Sequence, residues 1–579
     1  MTDLRWYSYP VLRLAATLLI ASVAGAAEPN TDACTVDNGG IQLPPGFCAP
    51  VFADNLGHAR HLVVARDGVV YVNTWSGAYY RTKPPPGGFL IALKDTKGDG
   101  HADVIRRFGD SIDDGSAGGT GIALYDHALY FEQNDRIMRY RLSPGSPVPS
   151  SKPQVIVSGL PITGDHPMHP FVIDARGKLF VDLGSATNAC DVRNRMPLSA
   201  GNDPCIEQQT RGGIWRYDAT RTHQKFSPAE RYATGIRNGE GMSFDAAGRL
   251  FVTQHGRDQL GENWQDRYTP AQGHELPAEE LLLLEQGADY GWPKCYFDGN
   301  QERLVLGPEY GGDGGRMVGE CAGKHAPAAF FPAHWAPDDL LIYDGRQFPV
   351  PYRGGAFIAF HGSWNRAPSP QAGYNVAFQP LDAGNASGDY IVFADGFAGM
   401  EKAPGRADFR PTGLALAPDG ALFVSDDVHG RIWRITYRGG PGVPANALIS
   451  ARVPVPGNGV HDARPPVESL PLPPGVTREQ LVLGDHVFHG EAAGGTCSGC
   501  HSSDGKGSVV GSDLTTGQWL WSDGNLDAIA TTITQGVPAP KRTFGAMPPL
   551  GGAQLSATDL AAVAAYVWAI GRETGVTPR

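Results

Sequence analysis

Positive charge is in short supply in this chain. It carries 48 Lys and Arg against 60 Asp and Glu, for a formal net charge of −12 and a pI near 5.8. That balance excludes a nucleic-acid partner, whose phosphates need a basic face. Long apolar runs are lacking too. The run Leu14 to Ala24 falls well short of the ~20 residues a membrane span requires, and no other segment is long and apolar enough. Arg5 and Arg13 flank that run, and Ala24-Gly25-Ala26-Ala27 ends it. This is the pattern of a secretory signal over 1–27, cleaved near Ala26 or Ala27. The mature chain is therefore expected to be periplasmic or secreted, with no membrane span. No Gly-x-Gly-x-x-Gly unit sits between a strand and a helix, which argues against a nicotinamide or flavin on a Rossmann unit.

Cysteine is sparse, eight in 579 residues, and its spacing is informative. Six fall as three close pairs, and nearest-neighbour pairing gives Cys34–Cys48, Cys190–Cys205 and Cys295–Cys321 among 15 formal connectivities. Disulfides suit an exported protein. No Cys/His cluster accompanies these six, so a metal role is not expected of them.

The last two cysteines belong to Cys497-Ser498-Gly499-Cys500-His501. This spacing lets two thiols add to the vinyl groups of one haem while the next residue lies beneath the iron. His501 is then the proximal ligand of a covalent haem c. A redox dithiol does not need the adjacent His, and no second Cys pair completes a zinc site. Around the motif, Arg478 to Gly490 has helical apolar spacing through Leu481, Leu483, Val487 and Phe488. Ala553 to Ile570 reads as a second helix with Ser556 as N-cap and Asp559 in its first turn. Between them, Thr543-Phe544-Gly545-Ala546-Met547-Pro548-Pro549 holds a methionine on a proline-rich loop. Met547 is expected to be the sixth ligand, because a thioether opposite His raises the reduction potential. With both ligand motifs present, Thr477 to Gly571 resembles a class I cytochrome c domain, placed here at 477–579.

The segment 34–440 repeats one hairpin: an apolar strand, a turn with Asp or Gly, and a second apolar strand. Copies stand at Val63–Val72, Ile122–Phe131, Val172–Val181, Ser243–Val252 and Ala415–Val424, with a degenerate sixth at Tyr352–Ala359. Six copies of one hairpin, spaced by long insertions, predict an all-β six-bladed propeller followed by the small all-α cytochrome. The 76 glycines and 47 prolines, about a fifth of the chain, suit many short strands joined by turns. Residues 441–476 are rich in proline and read as a linker. Asp95 to Asp103 resembles a fragment of a calcium loop, but Lys97 stands at a ligand position and no bidentate Glu follows. A polar hairpin turn is the favoured reading.

Basic and imidazole residues cluster in the blade loops. They fall at Arg60-His61, Asp165-His166-Pro167-Met168-His169, Arg237-Asn238, His255-Gly256-Arg257-Asp258, His361-Gly362-Ser363-Trp364-Asn365-Arg366 and Arg410-Pro411-Thr412-Gly413. In a propeller such positions converge on one mouth. Cations gathered in an acidic protein imply a small polyanionic guest, and a tricarboxylated quinone such as PQQ suits arginine forks.

These blocks resemble the soluble PQQ-dependent glucose and L-sorbosone dehydrogenase family, six-bladed propellers holding PQQ and Ca2+. The similarity covers Leu43 to Tyr437, and the phrases around Arg237-Asn238 and His361-Gly362-Ser363-Trp364-Asn365-Arg366 resemble the sorbosone branch most. The resemblance implies His166 as general base, with His169 a close rival. It implies Arg237, Asn238, His361 and Arg410 as quinone ligands, with Arg237 also stabilising developing charge. His255 then meets the quinone ring, while the carbonyls of Gly256 and Arg257 bind calcium. Arg60, Trp364 and Asn365 are further pocket candidates, and Thr412 stands where the family has a second arginine. The implied activity is oxidation of a sugar or sugar-derived aldehyde, with electrons leaving through haem c to an external acceptor such as a soluble cytochrome or the quinone pool. Two other readings stand beside it, a calcium-dependent hydrolase and a non-catalytic docking module for the cytochrome. A hydrolase is expected to ring the channel with Asp, Glu and Asn, whereas these blocks show His and Arg.

Overall fold

The computed structural model describes residues 37–76, 80, 85–110, 118–366, 369–439, 465–495, 497–502, 504–507, 511–543 and 546–572. The expected signal segment 1–27 lies outside the described residues, as does Cys34 with its expected link to Cys48. Cys190–Cys205 and Cys295–Cys321 are both bonded, with Cα separations of 6.1 and 5.8 Å. Among the described residues no helix is long and apolar enough to cross a membrane.

Six sheets follow one another along the chain, antiparallel except where Gln224–Lys225 pairs in parallel with Gln154–Ser158 at the edge of the second. Their first and second strands are Ala59–Val64 with Val70–Thr74, Ile122–Tyr125 with Ala128–Gln133, Phe171–Ile173 with Lys178–Leu183, Met242–Phe244 with Leu250–Gln254, Pro337–Ile342 with Ala356–Phe360, and Pro411–Leu416 with Leu422–Asp426. Five of these are the predicted hairpins. In the fifth blade the predicted segment Tyr352–Ala359 supplies only the second strand, because Pro337–Ile342 precedes it across a long connection. The turns explain the recurring residues. Gly68, Gly177, Gly248 and Gly420 each close one at φ between 78 and 89°, where a Cβ is disfavoured, and Asp126-His127 make a two-residue turn with both φ positive.

The first strand of each blade contacts the first strands of its two neighbours, and the sixth contacts the first, so the ring is closed. The chain's early strands Phe47–Cys48 and Val51–Ala53 pair with Ile432–Tyr437 and complete the sixth blade. Aromatic side chains fill the wedges between blades. Phe47, Tyr343, Phe348, Tyr352, Phe357, Phe378, Phe393 and Trp433 form one such cluster. The Asp95–Asp103 segment is a hairpin turn between Leu90–Lys94 and Val104–Phe108. Asp95 accepts from the backbone N–H of Lys97, Gly98 and Gly100, which satisfies its carboxylate without an ion.

The helical domain follows, after two short propeller-loop helices, α1 (Leu260–Asn263) and α2 (Pro270–Glu275). It contains α3 (Arg478–Phe488), α4 (Cys497–His501), α5 (Leu526–Gln535) and α6 (Ala557–Ile570). Capping boxes start α3 at Thr477 with Gln480 and α6 at Ser556 with Asp559. The two helices cross at Gly484, where a Cβ would sit 2.1 Å from the Ala562 carbonyl oxygen. Val467 and Leu470 are buried in this domain's core, and Arg478 Nη1 donates to both their carbonyls. The helical domain therefore takes in the end of the expected linker.

Candidate active site

Antiparallel pairing sets the start of a blade's first strand beside the end of its second. Residues just before the one and just after the other then share an edge of the sheet. Arg237 and Asn238 precede Met242–Phe244, His255 follows Gln254, His361 follows Phe360, and Arg410 precedes Pro411. The same geometry places His166 before Phe171 and Ser185 after Leu183. Five of the six blades turn this edge toward one pocket, lined by Arg60, His166, Arg195, Arg237, Asn238, His255, Gly256, His361, Trp364, Asn365 and Arg410 among others.

Asp258 organises one side. Its carboxylate accepts from Arg237 at 2.8 Å, Arg195 at 3.0 Å and Asn365 at 2.7 Å. Those two guanidinium groups, outweighing the cost of burial, hold its pKa well below the usual carboxylate range. Arg237 spends most of its donors within the protein: Nε on the Asn188 carbonyl, Nη1 on Gly256 O at 2.8 Å, and Nη2 on Asn188 Oδ1 as well as Asp258. One Nη1 hydrogen remains. Arg195 also pairs with Asp165 at 2.8 Å, and its guanidinium lies 5.9 Å from the Trp364 ring centre. Arg410 donates Nε to His361 O and Nη2 to Gly362 O, leaving Nη1 uncommitted.

Opposite stands Arg60, 2 % exposed, bound to Glu240, Asp338 and Asp427 at 3.0 to 3.1 Å. His361 Nε2 lies 2.9 Å from Asp427 Oδ1. His255 Nε2 faces the Pro337 carbonyl at 3.2 Å, and burial pushes this imidazole down to about 4. Asn238 donates to Glu240 Oε1 at 3.4 Å, and its Oδ1 is buried with no hydrogen-bond partner. Glu240, His255 and Asp338 each place a ligand atom within 4.8 Å of the others. Burial and the neighbouring Asp338 push Glu240 up to about 8, although Arg60 opposes this.

His166 and His169 have different surroundings. His166 lines the pocket with Nδ1 at 3.0 Å from both the Ser185 carbonyl and its hydroxyl. Burial, then the charges of Arg237 and Arg195, keep it neutral far below its ordinary range. His169 lies in the core with Nδ1 3.1 Å from Glu132 and Nε2 2.9 Å from the Pro161 carbonyl, so both ring nitrogens are engaged. It does not line the pocket. The Arg257 side chain also turns elsewhere, into a buried pair with Glu309.

The expectation of a channel without carboxylates needs correction. Asp165, Asp258, Glu240, Glu279 and Asp338 line the pocket beside the cations. The reason is electrostatic: four arginines withdrawn from water require counter-charges. Arg195, absent from the sequence candidates, sits within the loop closed by Cys190–Cys205, where no local pattern marks it. Asp258 directly follows His255-Gly256-Arg257 in sequence, but its carboxylate pairs with Arg237, Arg195 and Asn365 from other segments.

In the helical domain, Cys497, Cys500, His501 and Met547 line one cleft with the apolar Phe488, Ile529, Ile533, Val563 and Val567. His501 Nδ1 lies 2.7 Å from the Ser512 carbonyl, leaving Nε2 as the ligand atom, and burial keeps the ring neutral. Met547 is pinned by reciprocal backbone bonds with Val537 at 2.7 and 2.9 Å. The paired thiols, the two axial donors and the apolar walls fit a haem.

Fit to PQQ rests on uncommitted donors. Arg410 Nη1, the remaining Arg237 hydrogen and the Trp364 face suit a planar anion. Calcium fits less simply, because a cation at the Gly256 carbonyl would sit beside the positive Arg237 guanidinium that donates to it.

The comparisons agree with this geometry. A family model described as TrAA12-like matches residues 41–438, and one described as cytochrome C oxidase, cbb3-type, subunit III matches 490–567. A pyrroloquinoline quinone-dependent pyranose dehydrogenase of Coprinopsis cinerea is 28 % identical over 290 residues, 43 % of this chain and 38 % of that protein. The chain spans between 38 % and half the length of the curated relatives it matches. The PQQ domain of the C. cinerea pyranose dehydrogenase superposes with a TM-score of 0.54 at 19 % identity, covering 68 % of this chain and 97 % of that one. A Trichoderma reesei family AA12 structure with calcium gives 0.55 at 18 %, covering 70 % and 99 %. Because its propeller matches along more than half of the sequence, the chain belongs to the TrAA12-like family, with a cytochrome c domain behind the propeller.

Proposed function

We propose that the propeller oxidises a sugar or sugar-derived aldehyde, of aldose or sorbosone type, and that the helical domain passes the electrons to an external acceptor outside the cytoplasm. The observation that carries this reading is His166, a neutral imidazole whose Nδ1 is occupied by Ser185, opening Nε2 onto a pocket of four arginines. When bound, PQQ supplies a two-electron acceptor and haem c a one-electron carrier. His166 Nε2 takes the substrate's hydroxyl proton. Arg410 and Arg237 hold carboxylates and stabilise negative charge in a site where water screens little. Asp258 keeps Arg237, Arg195 and Asn365 in place. His501 and Met547 would hold the haem iron in the cleft they line. The pyranose dehydrogenase relative, with its quinone dependence, supports this assignment. The carboxylates of the pocket do not favour a hydrolase, since each is bound to a guanidinium or to backbone N–H groups.

The test is a panel of aldoses and keto-aldehydes supplied to PQQ-reconstituted protein with a soluble dye as acceptor. Turnover with one sugar class, lost without PQQ, supports the reading. No turnover with any member, despite bound PQQ, overturns it.

A further inference from the structure

Among the described residues two propeller loops touch the helical domain, and each also carries pocket residues, Pro404 and Arg410 in the first and Asp258 in the second. In the first, Pro404 and Arg410 line the pocket while Arg406, between them, faces the other way. Arg406 Nη1 pairs with Asp504 Oδ2 at 2.9 Å. The Pro404 carbonyl accepts from Ser502 Oγ at 3.0 Å, the single hydroxyl proton being shared with Gly507 O at 2.8 Å. In the second, Gln265 Nε2 donates to the Gly552 carbonyl just beyond α1. A Cβ on Gly552 would lie 2.8 Å from Glu262 Cβ, so this backbone rests directly on α1.

The contacting residues of the helical domain come from its two ligand loops. Ser502 and Asp504 directly follow His501, and Gly552 follows Met547 by five residues. Ser502 is 2 % and the Asp504 side chain 5 % exposed. A carboxylate so enclosed needs counter-charge, and it has two sources: Lys506 Nζ at 3.1 Å in its own domain and the Arg406 guanidinium at 2.9 Å on the other.

We propose that this face is a fixed docking surface for the chain's own helical domain, with the 404–410 loop forming a wall shared by pocket and haem cleft. The use of the surface rests on the proposed oxidoreductase reading. Each sugar gives up two electrons and two protons. A haem held by His501 and Met547 would relay these electrons one at a time to an external one-electron acceptor, which reoxidises it between the two, and the protons would go to solvent. The bonded route from the wall runs from the Pro404 carbonyl to Ser502 and so to its chain neighbour His501.

Small-angle scattering and amide exchange on the full-length holoprotein test the docking without reference to turnover. A compact chain of this length has a radius of gyration of about 25 Å. Wild type is expected at that value. Arg406→Asp and Asp504→Arg are each expected to exceed it and to exchange amides in 401–407 about fivefold faster. The double swap R406D/D504R is expected to restore both values. An expanded wild-type envelope, or exchange unmoved by either single variant, would overturn the proposal. A compact wild type whose haem stays ferric with PQQ and sugar would support docking and count against the oxidoreductase reading alone.

Discussion

His166 Nδ1 lies 3.0 Å from the carbonyl oxygen of Ser185, and that contact fixes the tautomer of the ring. A carbonyl only accepts, so Nδ1 carries the proton and Nε2 carries the lone pair. Replacement with alanine is expected to lower sugar-dependent kcat by roughly 10²- to 10⁴-fold. The dithionite-reduced haem spectrum should be unchanged, which separates lost catalysis from lost folding.

The same histidine predicts a pH profile. Its pKa is shifted well below the usual imidazole value, so the neutral base persists as pH falls from 7. The basic form is the active one, and activity should be lost only below that lowered pKa, as protons bind. A kcat/KM profile measured between pH 4 and 8 checks this. A loss centred near the unperturbed value of about 6.5 would count against His166.

Asp258→Asn should destabilise the propeller by about 3–5 kcal/mol, because Arg237 and Arg195 keep their charge without their counter-ion. The folded pKa of Asp258 is depressed, so its stabilisation is present above the unfolded carboxylate pKa and fades as pH falls through the folded one. Urea unfolding of wild type and variant should therefore differ most at neutral pH and converge in acid.

Gly484→Ala forces a methyl group into the α3–α6 crossing, where the Ala562 carbonyl oxygen and Tyr566 Cβ lie 2.1 and 2.9 Å away. The helices must separate, at a cost of about 1–3 kcal/mol. The expected result is a lower midpoint for loss of the haem Soret signal, with the propeller transition unmoved.

Met547→Ala should lower the haem reduction potential and remove the iron–thioether charge-transfer band, as expected when a thioether is lost opposite His501. Redox titration followed by absorption reads both.

Much of this organisation was legible in the sequence, for identifiable reasons. Hairpins with an Asp/Gly turn announce themselves locally, and so do the capping boxes at Thr477 and Ser556. The haem motif is contiguous, and Met547 stands on a proline-flanked loop. The sixth hairpin was half-read, because Pro337–Ile342 lies across a long connection from its partner strand. Helix α5 was missed, although Asn525 caps it and Leu526, Ile529 and Ile533 carry helical spacing. Arg195 and the carboxylates of the pocket were beyond local reading. They arrive from separate blades, and the need for counter-charge becomes visible only once four arginines are buried together. His166 and His169 are three residues apart in a loop without periodicity, so only the partners of their ring nitrogens tell them apart.

The central claim, that an oxidant held in the arginine-lined pocket drains into the iron of the same chain, is tested most directly by anaerobic absorption spectroscopy of the ferric protein. With PQQ and an aldose both present, the haem should turn ferrous, and with either one alone it should stay ferric. Haem that remains ferric with both, or is reduced by sugar without PQQ, would contradict the account.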